Sequence, residues 1–242
     1  MVGDVEIVEG AQSIPVVVNL QKSRGDDDQN QHPEAPDVTT PHDGELPSLI
    51  RVVVAGHSFI RHLREHLFVE KGPSFNMGLD TAIVNVIFMS RGGQTCQGMW
   101  SGFIQRIKNI RPHIVYLELG TIDAADINLT PNNIVNQMSA IARDLTQSGV
   151  QKVIFGQVLC REDRAIPRNI PMFNWKVVVI NRLMAQVLSN LPNTQFWKHR
   201  GIWNSVYPIL LDDGLHLSQI GNHRLFRSVR GAIIQAVPYI QP

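Results

Sequence analysis

The sequence predicts one α/β domain of the doubly wound kind, a five-stranded parallel sheet with helices on both faces, preceded by an acidic tail. Three observations carry that expectation. From residue 49 onward, short β-branched apolar runs alternate with longer segments of helical spacing. The strand-like runs are apolar almost throughout, as suits strands buried on both faces of a parallel sheet. The loops after them carry Gly, Ser, Asp and His, and in such folds ligands bind beyond the carboxyl ends of the strands.

Taken in order, "LIRVVVAG" (49–56) is the first strand and "SFIRHLREHLF" (58–68) the first helix. "TAIVNVIFMS" (81–90) is the second strand, followed by "GMWSGFIQRIKNI" (98–110) as a helix. "HIVYLELG" (113–120) is the third strand. Its helix is "PNNIVNQMSAIARDLTQSG" (131–149), with Pro131 at the start and Gly149 at the end, where each is favoured. "QKVIFGQVLC" (151–160) is the fourth strand and "NWKVVVINRLMAQVLSNL" (174–191) the fourth helix. "TQFWKHRGIW" (194–203) is a shorter fifth strand, and "SQIGNHRLFRSVRGAIIQAV" (218–237) a closing helix with Phe226, Val229, Ile233 and Val237 down one side.

Residues 1–48 read differently. Their stretch from Gln21 to Ser48 is rich in Asp, Pro, Gln and Thr and nearly free of large apolar side chains, so it is expected to be a disordered linker. Ten Asp and Glu face only Lys22 and Arg24 there, a net −8, whereas the 20 basic and 11 acidic residues of 49–242 leave a net +9. A basic, Arg-rich body suits contact with a polyanion as well as a solvated surface. No apolar run approaches a membrane span, and the N-terminal "MVGDVEIVEG" is acidic where a secretory leader would be basic. The expected location is intracellular, in the cytoplasm. Cys96 and Cys160 are too few for a disulfide framework and not spaced as a metal site.

The chemistry-bearing loops are "GHS" after the first strand, "SRGGQT" after the second, "LGTIDAAD" after the third and "DDGLHLS" before the last helix. A serine at a strand-to-helix turn can cap the helix or act as a nucleophile; the latter needs a base, and the base an orienting carboxylate. Asp213 and His216, three apart in a loop with Gly214, can supply both to Ser58. Candidate oxyanion donors are the backbone N–H of Ser58 and that of Gly92 or Gly93. "HLREH" (62–66) matches the H-x-x-E-H of zinc proteases, but no third ligand is evident and the same helix already belongs to the strand–serine–helix unit. G-x-S-x-G of α/β-hydrolases is excluded, because Ile60 occupies the second glycine's place.

These blocks resemble the SGNH hydrolase superfamily, the GDSL-type esterases, over about residues 49–237. Gly56-His57-Ser58, Arg91 to Gln94, Gly120-Thr121-Ile122-Asp123 and Asp213-Gly214-Leu215-His216 stand in that family's order. The resemblance implies a flavodoxin-like doubly wound fold and a serine ester hydrolase acting on a small acyl ester or thioester without cofactor or metal. Ser58 would be the nucleophile, His216 the base and Asp213 its orienting acid, with Gly92, Gly93 and Gly120 lining the oxyanion and substrate site. His57 stands where the family usually has Asp. Ile122 stands where the family has an asparagine oxyanion donor, and its side chain has no donor, which implies weakened activity or a retired module that binds a polyanion or protein partner. "AGHSF" and "RSVRGAI" further resemble esterase-like domains of animal retroelement-encoded proteins.

Overall fold

In the computed structural model, residues 49–162, 169–202 and 209–240 are described. The tail expected to be disordered, 1–48, lies outside the described residues. Five strands, β1 (Ile50–Gly56), β2 (Val84–Ser90), β3 (Ile114–Glu118), β4 (Lys152–Gly156) and β5 (Thr194–Trp197), form one sheet in the order β2-β1-β3-β4-β5. Every pairing is parallel; Val52, for example, lies between Val86 and Ile114.

Alternation along the strands divides the core into two layers. Val52, Val54, Ile114, Tyr116 and Ile154 face α1 (Ser58–Lys71) and α7 (Gln219–Ala236). Val53, Ala55, Val115, Leu117 and Phe155 face the other layer, made chiefly of the helical run 96–110, α5 (Pro131–Gln147) and α6 (Ile170–Ser189). The central strands β1 and β3 are almost wholly buried, which is why they read as unbroken apolar runs.

Several boundaries differ from the sequence reading. Residues 81–83 form a turn rather than strand, because Asp80 accepts the Ala82 and Ile83 N–H groups. β4 stops at Gly156 instead of running to residue 160: the Asn181 amide takes both backbone groups of Val158, at 2.9 Å each, and so ends the ladder. β5 has only four residues, since the His199 N–H turns to Gln157 Oε1. α6 begins four residues early, with Asn169 as cap and Pro171 in its first turn. The run 96–110 comprises α2 (Cys96–Gly98), a π-helical turn (Met99–Phe103) and α3 (Ile104–Ile110). "TIDAA", read as loop, is the short helix α4 (Thr121–Ala125). On α7 the buried face is Leu225, Val229, Ala232, Ile233 and Ala236; Phe226 is only partly buried, and Val237 has passed into a final 3-10 turn.

Candidate active site

Ser58 is the first residue of α1, directly beyond the end of β1. It does not cap the helix. That position belongs to His57, whose Nδ1 accepts the Phe59 N–H at 3.4 Å. The Ser58 hydroxyl has no hydrogen-bond partner among the described residues, so local structure does not account for it.

Asp213 and His216 are held in a tight turn between Leu210 and Leu217, which form an antiparallel bridge. Leu211 donates to the His216 carbonyl and Gly214 to the Leu211 carbonyl, closing the turn. One Asp213 oxygen accepts the Leu215 and His216 N–H groups at 2.8 and 2.9 Å; the other accepts His216 Nδ1 at 2.6 Å. Partial burial raises the Asp213 pKa, but the His216 side-chain and backbone bonds, the Leu215 N–H and the His216 charge outweigh it, leaving a pKa of about 2. Proton on Nδ1 leaves Nε2 as the basic nitrogen of His216.

His216 lies against the helix that begins with Ser58. Its ring stacks on that of His62, centroids 5.1 Å apart, and His62 is one turn beyond Ser58 on the same face of α1. Arg61 on that face donates to His62 Nε2 at 3.0 Å, and its guanidinium lies against Gly92. The face bearing Ser58, Arg61 and His62 is thus flanked by the Asp213–His216 turn and by the Gly92–Gly93 turn. In the latter, Gln94 donates to the Arg91 carbonyl and Gly93 has φ +69°, a conformation glycine adopts without strain. The Ser58, Gly92 and Gly93 N–H groups make no backbone hydrogen bond among the described residues. A nucleophile–base hydrogen bond between Ser58 and His216 is absent; such bonds often form only in the substrate complex.

The remaining positions sort clearly. Gly120 is buried, with φ +95°, and packs on Val158 and Met138. Ile122 is half-buried in the first turn of α4. Asp123 accepts the Cys96 N–H at 3.0 and 3.2 Å and so anchors α2; burial raises its pKa. The zinc-protease histidines face other groups: His62 meets Arg61 and His216, and His66 Nε2 lies 3.5 Å from a Glu70 carboxylate oxygen. Among the described residues, no group of three or more His, Cys, Asp and Glu could hold a metal ion. No helix there is long and apolar enough to cross a membrane.

Beneath the rim lies a buried polar network that sequence reasoning missed. Glu118, 1% exposed at the end of β3, accepts the Tyr116 hydroxyl at 2.8 Å and lies 3.4 Å from His199 Nε2. His199 Nδ1 and the Trp197 indole N–H both meet the Ser228 hydroxyl at 2.9 Å. His57 is buried beside this network. Burial pushes its pKa down to about 4, against the opposing pull of Glu118 and with further lowering by Arg161 and His216. The only sequence signal was apolar runs interrupted by polar residues at strand ends.

A GDSL-like lipase from Bacteroides thetaiotaomicron superposes with a TM-score of 0.60 at 20% identity, covering 77% of this chain and 88% of its own. The chain has the fold of GDSL-like acylhydrolases and esterases. A lipase/acylhydrolase from Enterococcus faecalis gives 0.56 at 19% identity, covering 80% of this chain and 98% of its own. A carbohydrate esterase family 3 protein from Talaromyces cellulolyticus gives 0.59 at 14%, covering 80% and 100%. No protein-family model matches the chain, and no curated protein matches its sequence. At these identities the likeness establishes the GDSL-like fold, and the chemistry has to be argued from the residues.

Proposed function

We propose that the chain is a serine ester hydrolase of SGNH type. The observation that carries this reading is the Asp213–His216 pair, bonded at 2.6 Å and packed through His62 against the helix that presents Ser58. Ser58 Oγ attacks an acyl carbonyl while His216 Nε2 takes its proton. Asp213 keeps the Nδ1 tautomer and stabilises the imidazolium that forms. Collapse of the tetrahedral intermediate transfers the proton to the departing alcohol or thiol, and water then releases the acyl group by the same route. The N–H groups of Ser58 and of Gly92 or Gly93 receive the oxyanion, with Gly120 shaping the site floor. Loss of one side-chain donor at Ile122 costs about 10²–10³ in rate, so turnover is slow. The structural relatives, named as lipases, acylhydrolases and a carbohydrate esterase, agree with acyl ester chemistry. Hydrolysis of 4-nitrophenyl acetate that disappears in Ser58→Ala and His216→Ala is the expected result; turnover that survives both changes overturns the assignment.

A second reading, a module retired from catalysis that binds a polyanion, draws support from one observation. A cavity of about 600 Å³ beside the C-terminal end of β5 is lined by Lys198, Arg200, Arg224, Arg227 and Trp197, with no carboxylate among the described lining residues. Arg230, three residues after Arg227 on α7, is engaged elsewhere, donating to the Met77 and Gly78 carbonyls. Arg224→Ala/Arg227→Ala should then weaken binding of a labelled single-stranded oligonucleotide and flatten its salt dependence. Unchanged binding would remove this reading.

A further inference from the structure

We infer that Arg161 is the recognition element for an anionic group, a carboxylate or a phosphate, on the molecule that occupies the Ser58 site. This rests on the Ser58 hydrolase reading and specifies its substrate class.

Arg161 follows β4, and the adjoining Glu162 N–H donates to the Gly214 carbonyl at 3.1 Å, so the segment abuts the Asp213–His216 turn. Its charge also acts on His57, the residue before Ser58. The segment thus touches the turn that carries Asp213 and His216, and the Arg161 charge reaches the residue before Ser58. Both its backbone groups are clamped by the Asn174 side chain of α6, at 2.9 Å each. Its guanidinium is stacked over the Phe173 ring at 4.1 Å. The side chain is held in place as a rigid fixture, with its rotamer entropy already spent.

What it is held for is not met among the described residues. Arg161 is 7% exposed, yet its Nε and Nη1 are buried without a hydrogen-bond acceptor among them. A guanidinium in that state is costly unless something charged completes it. Lys176, buried to a similar degree on α6, shows the contrast: its ammonium is satisfied by the Asp126 and Leu129 carbonyls at 2.6 and 2.8 Å. Glu118 makes no ion pair with Arg161: its Oε2 accepts the Tyr116 hydroxyl and lies near His199, and its Oε1 is buried without a partner among the described residues. Two other charged rim residues have partners: Arg61 with Glu65, and Asp213 with His216. An anion arriving at Ser58 would find Arg161 donors preorganised and uncompensated, and planar guanidinium donors suit carboxylate and phosphate oxygens.

The test uses the full chain carrying Ser58→Ala, so that binding is read apart from turnover. Monomethyl succinate and inorganic phosphate are titrated separately by calorimetry, which distinguishes the carboxylate source from the phosphate source. At least one should bind, with affinity falling tenfold or more on Arg161→Gln and partly recovered by Arg161→Lys. In the chain with Ser58 intact, Arg161→Gln should lower the ratio of kcat/KM for 4-nitrophenyl hemisuccinate to that for 4-nitrophenyl acetate by a similar factor. Should Arg161→Gln not fold, the Arg161 Nε–H resonance of the Ser58→Ala chain must shift on titration. Absence of binding by both anions, affinity indifferent to Arg161→Gln, or an unmoved resonance each overturns the inference. Anion binding through Arg161 in a chain that hydrolyses no ester would overturn only the hydrolase reading.

Discussion

Acid should destabilise this fold through one histidine. His57 is 1% exposed, caps α1 with Nδ1, and has its pKa pushed from 6.5 to about 4. Between those values the unfolded chain carries a proton on this residue that the folded chain refuses. Its contribution is therefore complete above about pH 6.5, is lost as pH falls toward 4, and levels off below. A difference of two to three pKa units corresponds to about 3 kcal/mol, a large share of a domain's net stability. Other groups bend the same curve: His62 and His113 are lowered and act in the same sense, while Asp123 is raised and opposes them. Comparison with His57→Asn, which keeps a capping side chain without a titrating ring, cancels those shared terms. Urea denaturation of both chains from pH 7 to pH 4 should show the stability difference shifting by about 3 kcal/mol against the histidine. A difference independent of pH would refute the reasoning, because it would mean that His57 is free to take up its proton in the folded state.

Three further outcomes are expected. Ile122→Asn should raise kcat for 4-nitrophenyl acetate by about 10²–10³ by restoring a side-chain donor at the start of α4, and stopped or steady-state kinetics will show whether it does. Asp213→Asn should lower kcat by up to about 10⁴: the Leu215 and His216 N–H groups hold the amide oxygen, which turns the amide NH2 toward Nδ1 and favours the wrong His216 tautomer; unchanged kcat would remove Asp213 from the mechanism. Gly156→Ala should cost about 1–3 kcal/mol or more, read as a fall in Tm, because an added Cβ would overlap Glu118 Oε2 and the Tyr116 hydroxyl.

The strand and helix order was legible because the central strands β1, β3 and β4 are almost wholly buried and each long helix carries one apolar stripe. Ends were less legible, and the reason is specific. Strand ends are set by side chains distant in sequence, such as Asn181 taking the Val158 backbone and Gln157 taking the His199 N–H. Ser58, Asp213 and His216 could be picked out because two of them are three residues apart in one turn and the third follows a strand. His62 was visible only as a possible zinc ligand; its i+4 spacing from Ser58 placed it on the same face, but its contact with His216 depends on how α7's leading turn returns to α1. Arg161 and the Glu118–His199–Ser228 network carried no local pattern, because their meaning comes from burial, which arises only when β3, β5, α6 and α7 are packed.

Whether Ser58 is an activated nucleophile is tested most directly by fluorophosphonate labelling of the folded chain, with the adduct located by mass spectrometry. The expected result is a single adduct on Ser58 that is lost in Ser58→Ala and strongly slowed in His216→Ala. A folded chain that takes up no label, or one whose labelling is indifferent to His216, would contradict the hydrolase assignment.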